Sequence, residues 1–217
     1  MILTGSVNER WQKGILMNDR FNALPEEKQK RIINAGFRVF SGSSYKKSPV
    51  QEIALDAGIS KSLLFFYFKN KKDLYLFLWN KVEELVSETI RNNKIPQDAD
   101  LFDTMYISLV NKARLLEEYP DILNFSVKAY YEDDPEVKDD IRKVVTPYTS
   151  LTASKTMPQI DPSVLKKGID PKKMYQQIYL ASEGYMWRMS QGGNIDADKM
   201  IAGYKELIDT WKELFLK

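Results

Sequence analysis

The 217-residue sequence contains no cysteine and no histidine. The first absence removes disulfide frameworks, thiolate metal sites and thiol nucleophiles. The second removes every mechanism that uses an imidazole as base or ligand, which leaves an enzyme only carboxylate, Lys, Tyr or Ser/Thr chemistry. No paired carboxylates, nucleotide-binding glycine loop or metal-ligand spacing can be named, and the lone Gly192-Gly193 reads as a helix stop. No apolar run approaches the roughly 18 residues of a membrane span; Leu74 to Trp79, the longest candidate, is about a third of that. The opening MILTGSVNERWQKG lacks the basic and apolar regions of a secretory signal, and a chain without cysteine is compatible with the cytoplasm. These absences argue against an enzyme, a metal site, a cofactor and a membrane partner.

What is present is enough for a core: 43% of residues are apolar and 12% aromatic, which excludes general disorder. The formal charge of +2 conceals an asymmetry. Met1 to Lys72 carry thirteen Lys/Arg against six Asp/Glu, whereas the remainder carries nineteen against twenty-four. A basic third joined to an acidic remainder suggests a polyanion-binding head on a body with another task, against the plainer reading of a chance surface fluctuation.

The punctuation is helical throughout, with almost no strand signal. Pro25 opens a segment with Glu26 and Glu27 in its first turn and a stripe at Ile33, Phe37 and Phe40. Ser48 before Pro49 reads as an N-cap with proline at the first helical position, and the helix it starts stops at Gly58. Ser60 caps another helix through Phe68, and Asn70 caps a long one past Val86. Two short helices joined across a Gly, with an apolar Ile59 just beyond it, have the sequence form of a helix-turn-helix. Downstream, helices start near Phe102, Asp121, Pro135, Pro171 and Asp196; Pro147 is expected to bend or end the third of these, and Pro158 and Pro162 bracket the weakest region. The fold class is therefore all-α, an N-terminal three-helix head followed by a larger helical domain.

If Leu64 and Phe68 face the core with Ile59, then Lys61, Ser62, Phe65 and Phe66 project outward, where a second motif helix meets the major groove. The alternative is that Phe65 and Phe66 are core. Lys69 and Lys71 stand at the N-terminus of the next helix, where they oppose its dipole unless an anion such as a phosphate is present.

The run YKKSPVQEIALDAGISKSLLFFYFKNKKDLYLFL, residues 45–78, resembles the DNA-binding head of the tetracycline-repressor (TetR) family of bacterial transcription regulators. The pattern is carried by Ser48, Val50, Ile53-Ala54, Ala57-Gly58-Ile59-Ser60, Lys61, Phe65, Tyr67-Phe68, Lys71 and Leu74. The resemblance implies that Ser48, Tyr67 and Lys71 position phosphates and that Lys61, Ser62, Leu63, Phe65 and Phe66 face bases. Phe66 stands where many relatives have His, and Phe65 lacks the hydroxyl of the frequent Tyr, so the operator sequence is not readable. The implied organisation is an extension over 1–22 (an arm, an extra helix or foreign sequence), a helix-turn-helix domain over 23–71, and a regulatory, ligand-binding and dimerisation domain over 72–217.

In that family the body encloses a ligand pocket and its last two helices pair with a second subunit. Met105, Tyr106, Leu109, Phe125, Tyr130, Trp187 and Met189 are candidate lining for a small lipophilic effector, with ordinary core as the alternative for each. Tyr175, Ile178, Tyr179, Ser182 and Tyr185, with Ile201, Tyr204, Ile208, Trp211 and Phe215, recur at helical steps and are candidates for a homodimer interface, with internal core again the alternative. The acidic run Glu132 to Asp140 lacks the spacing of a calcium loop and reads as capping and a solvated face. The expected function is a cytoplasmic, homodimeric repressor released from its double-stranded DNA operator by an effector. A ligand-binding protein whose head no longer binds DNA and an α-helical enzyme are the competing readings. The identity of the effector and the choice between repressor and activator are not legible.

Overall fold

The computed structural model describes residues 19–93, 95, 96, 98–149 and 161–217. Most of the expected extension, residues 1–18, and Pro158 lie outside the described residues. The helices are α1 (Asp19–Asn22), α2 (Glu26–Gly42), α3 (Val50–Asp56), α4 (Lys61–Tyr67), α5 (Lys71–Asn92), α6 (Leu101–Ala113), α7 (Leu115–Glu118), α8 (Ile122–Tyr130), α9 (Lys138–Thr149), α10 (Pro171–Gln191) and α11 (Ala197–Phe215). Among the described residues no strand forms, and a single antiparallel bridge joins Leu165 to Leu216.

Five of the helices start where a side chain satisfies the first free backbone N–H groups. The carboxylates of Asp100, Asp170 and Asp196 accept from the amides of Asp103, Lys172 and Lys199 at 2.7, 2.9 and 3.1 Å and so start α6, α10 and α11. Two local expectations are corrected. Ser48 makes no cap: Pro49 holds that position without a side-chain bond, and the Ser48 hydroxyl turns inward to the carbonyl of Ser44 at 3.0 Å. The backbone is helical from Pro147 to Thr149, so Pro147 does not end this helix.

Helix α2 packs on α3 within the head and on α8 of the body, so one core runs through both. The shared part is aromatic. Phe40 and Phe125 each meet Tyr75 nearly edge-on, at ring separations of 4.8 and 5.3 Å, and Phe37 lies 5.1 Å from Phe125. Edge-to-face rings add to the area they bury, and this knot fixes α5 and α8 against the head. Gly36 allows the closest approach: a Cβ there would stand 2.5 Å from a methyl of Leu78, so α5 lies almost on the backbone of α2. Helix α5 then leaves the head and continues into the body. Its first half buries Leu74, Tyr75 and Leu78, and its second half buries Val82 and Val86 among the body helices.

Candidate functional site

The turn between α3 and α4 is built by two residues. Gly58 takes φ +67°, a conformation that disfavours side chains, which lets the Ile59 amide reach back to the Ala54 carbonyl at 2.9 Å and close the end of α3. Ser60 then accepts from the Leu63 amide at 3.1 Å and starts α4. With Leu64 and Phe68 buried, Lys61, Ser62 and Phe66 are exposed, Phe66 at 52% of its surface, and Lys69 stands exposed just beyond the helix. Leu63, Phe65 and Tyr67 are half-buried on the flanks, the Tyr67 ring edge-on to Phe21. A short helix thus presents a cation, a hydroxyl and an aromatic ring outward, which is the chemistry that reads base edges and thymine methyl groups.

Two expected phosphate groups stand differently. Ser48 is buried, held by Ser43 and Ser44, so its hydroxyl does not face an incoming backbone. Lys71 is half-buried: its ammonium lies 4.9 Å from the ring centre of Tyr45 and donates to the Lys46 carbonyl at 3.2 Å, and burial lowers its pKa. It braces the loop between α2 and α3, whose own Lys46 and Lys47 are exposed. Sequence reasoning missed those two lysines, although the pair directly before Ser48-Pro49 was a visible signal. It also missed Arg20, whose guanidinium covers the exposed Phe66 ring at 4.3 Å.

Behind the head the body contains a cavity, with an empty volume of about 870 Å³ counting its open mouth. Val82 and Val86 of α5, Met105 and Leu109 of α6, Leu123 and Val127 of α8, and Met186 of α10 give it an apolar wall; Lys112, Tyr130, Tyr131 and Glu183 add polar groups. Of the expected pocket residues, Met105, Leu109 and Tyr130 line this cavity. Four others do not. Phe125 belongs to the aromatic knot of the head, Tyr106 lines a separate shallow hollow beside Pro96, and Met189 packs on the core away from the cavity. Trp187 is 40% exposed, because it lies one residue beyond Met186 and is rotated about 100° around the helix. Its ring meets Tyr131 at 4.7 Å from outside.

Tyr131 connects this cavity to the head. Its hydroxyl donates to Glu183 at 2.9 Å, and the next residue, Glu132, accepts from the Tyr45 amide at 2.7 Å with one carboxylate oxygen and from the Asp133 and Asp134 amides at 3.0 Å with the other. Tyr45 is buried against Phe40 and Tyr75, and burial together with Glu136 raises its pKa. Asp140 pairs with Lys72 at 2.8 Å and with Lys143 at 2.9 Å, and those two bonds hold its pKa down. The acidic run is thus more than a capped, solvated face: Glu132, Glu136 and Asp140 reach the head.

Five of the ten dimer candidates need correction. Ile178, Ser182, Tyr204, Ile208 and Trp211 are buried within the chain, since α11 packs on α6 and α10 on α8. The Ser182 and Tyr204 hydroxyls pair with each other at 2.9 Å. Tyr175, Tyr179, Tyr185, Ile201 and Phe215 are half-buried, and Tyr185 donates to the Met200 carbonyl at 2.8 Å. The five buried residues face inward, and the five half-buried ones stand at the edge of that face. A second stripe faces outward on α10, Leu180 at 58% exposure, then Gly184 and Trp187, and Leu214 of α11 is exposed at 56%.

Residues 32–77 match the family model of bacterial regulatory proteins, tetR family. The chain is 23% identical over 157 residues to a fatty acid metabolism regulator protein of Bacillus subtilis (strain 168), covering 70% of this chain and 80% of that one. Its fold is similar to that of a TetR family transcriptional regulator from Chloroflexus aurantiacus J-10-FL, with a TM-score of 0.67, 19% identity, and 92% and 98% of the two chains covered. It is also similar to the transcriptional regulator FadR from Bacillus subtilis in complex with stearoyl-CoA, with a TM-score of 0.57, 20% identity, and 83% and 96% covered.

Proposed function

We propose that this chain is a member of the TetR family, whose regulatory-protein model its residues 32–77 match, and that it is a cytoplasmic homodimeric repressor that leaves its DNA operator when a lipophilic effector with a long acyl chain enters the body. The observation that carries the reading is the exposed face of α4, where Lys61, Ser62 and Phe66 stand over a buried Leu64 and Phe68. Within the chain the ring meets only the Arg20 guanidinium and Tyr67 and stays half open to solvent, whereas a duplex would use both the ring and the cation. Arg20 lies over Phe66 on that face, and with the exposed Lys46 and Lys47 it supplies charge for phosphates. The domain division follows the same lines, with the head over 23–71 and the regulatory body over 72–217.

One head offers a small surface, so two must act together on half-sites about 34–36 Å apart. The exposed stripe of Leu180, Gly184 and Trp187 on α10 and the exposed Leu214 on α11 support a partner's helices docking there. The acyl class is supported by the apolar wall of the cavity and by the stearoyl-CoA bound in the FadR relative. An occupant displacing Tyr131 would move Glu132 and with it the loop that carries Lys46 and Lys47. The two heads would then no longer fit both half-sites.

A mobility-shift titration on the DNA beside its own gene tests this reading, run at two salt concentrations and with stearoyl-CoA added. The expected result is a shift that weakens steeply with salt and is reversed by the acyl compound. No shift, or one indifferent to salt, would instead support a ligand-binding protein with an inactive head.

A further inference from the structure

Three hydroxyls on the cavity wall are already committed. Ser126 donates to the Leu123 carbonyl at 2.8 Å, Ser182 to the Ile178 carbonyl at 2.7 Å, and Tyr131 to Glu183 at 2.9 Å. Such back-bonded hydroxyls keep acceptor capacity but have no proton left for a ligand. Among the described lining residues the one cation is Lys112, in the last turn of α6, 9% exposed and surrounded by the Val, Leu and Met wall. Burial pushes its pKa down to about 8, so it is still mostly charged at neutral pH, at a cost set by its dry surroundings. An ammonium carries three donors, enough to keep a contact inside the protein and meet a ligand as well. A neutral chain entering the cavity would add no charge partner for that ammonium, whereas an anion would add a charge-assisted hydrogen bond to the contacts it already makes.

We infer that Lys112 reads an acidic group on the effector, so that the cavity selects an amphiphile with an apolar chain and one anionic end, a fatty-acid carboxylate, over a neutral lipid of equal length. This rests on the cavity being the effector site. The other titratable groups on the wall are Tyr130 and Tyr131 of the α8 end, Glu183 of α10 and Tyr204 of α11. Burial raises Tyr131, and pushes Tyr204 up to about 12. Glu183 has a carboxylate oxygen occupied by Tyr131.

The test titrates the full chain with dodecanoate and with dodecanol by calorimetry, for the native sequence and for Lys112→Met and Lys112→Arg. The native chain should prefer the acid by about tenfold or more, as a hydrogen bond to a charged group requires. Lys112→Met should bring the ratio close to one with dodecanol binding retained, and Lys112→Arg should keep a preference for the acid. Between about pH 7 and about pH 9.5 acid affinity should fall several-fold in the native chain while alcohol affinity stays level. Equal binding of acid and alcohol, an acid preference that survives Lys112→Met, or flat pH behaviour of the native chain overturns the role of Lys112 and leaves the cavity reading intact. Binding of neither compound overturns both.

Discussion

The head and the body are both helical and share one core, yet they are filled differently. In the head, rings touch rings: Phe21 lies 5.2 Å from Phe68 and 5.0 Å from Phe77, and Phe40, Tyr45, Tyr75 and Phe125 close a second cluster behind them. In the body, slender Val, Leu and Met side chains stand around a space they do not fill. The contrast separates two tasks. A DNA-reading helix must keep its geometry, which dense aromatic packing enforces, whereas a sensor must leave room for its ligand and some freedom to respond.

The largest expected effect breaks the contrast directly. Phe40→Ala should cost about 3–5 kcal/mol in urea unfolding, because close-packed rings cannot collapse into the gap, while Leu109→Ala, beside a space already present, should cost less than half as much. Equal losses would mean that the cavity wall is as tightly braced as the head. Next comes Lys112. Its folded pKa lies below the unfolded value, so the cost of burying the charged form is full below about pH 8 and fades as pH rises from there towards the unfolded value near 10.4. Lys112→Met should therefore melt higher than the native chain at neutral pH, by an amount on the order of 2–3 kcal/mol, and the gap should close in alkali. A gap that is unchanged at about pH 10 would contradict the burial.

A smaller effect tests the link between the two regions. Glu132→Gln weakens the bond to the Tyr45 amide without emptying the position, and the factor by which stearoyl-CoA loosens DNA should shrink, by about 1 kcal/mol of coupling, with DNA affinity alone little changed. Paired mobility-shift titrations with and without the acyl compound give that factor. The smallest effect belongs to single phosphate contacts: Lys46→Ala or Lys47→Ala should lower the slope of log affinity against log salt by about one each. Lys71→Ala is different, because Lys71 braces Tyr45, and it should cost thermal stability as well.

The same contrast explains what the sequence allowed to be read. The turn at Gly58 and Ser60 is governed by residues one to five positions apart, and the faces of α4 follow from it without any knowledge of neighbours. Ser48 misled because a serine before a proline commonly caps, whereas here its hydroxyl is taken by a carbonyl four residues earlier. In the body, periodicity identified stripes correctly but could not say what each would meet. Ile178 of α10 and Tyr204 of α11 each lie on a face that packs inward on other helices, and the sparser stripe of Leu180, Gly184 and Trp187 is the one left outside. Phe125 and Tyr130 lie five residues apart on α8, so they point to different faces, one into the head and one into the cavity. Lys112 escaped notice because a lysine in a helical pattern is normally a solvated one.

The adjacency of Tyr131 and Glu132 has a reciprocal meaning. If filling the space behind Tyr131 lowers the grip on the operator by some factor, thermodynamic linkage requires the operator to lower the grip on the effector by the same factor. Duplex DNA is then itself an inhibitor of lipid uptake by this protein, and the concentration of acyl compound needed to clear a promoter rises with the strength of that promoter's operator.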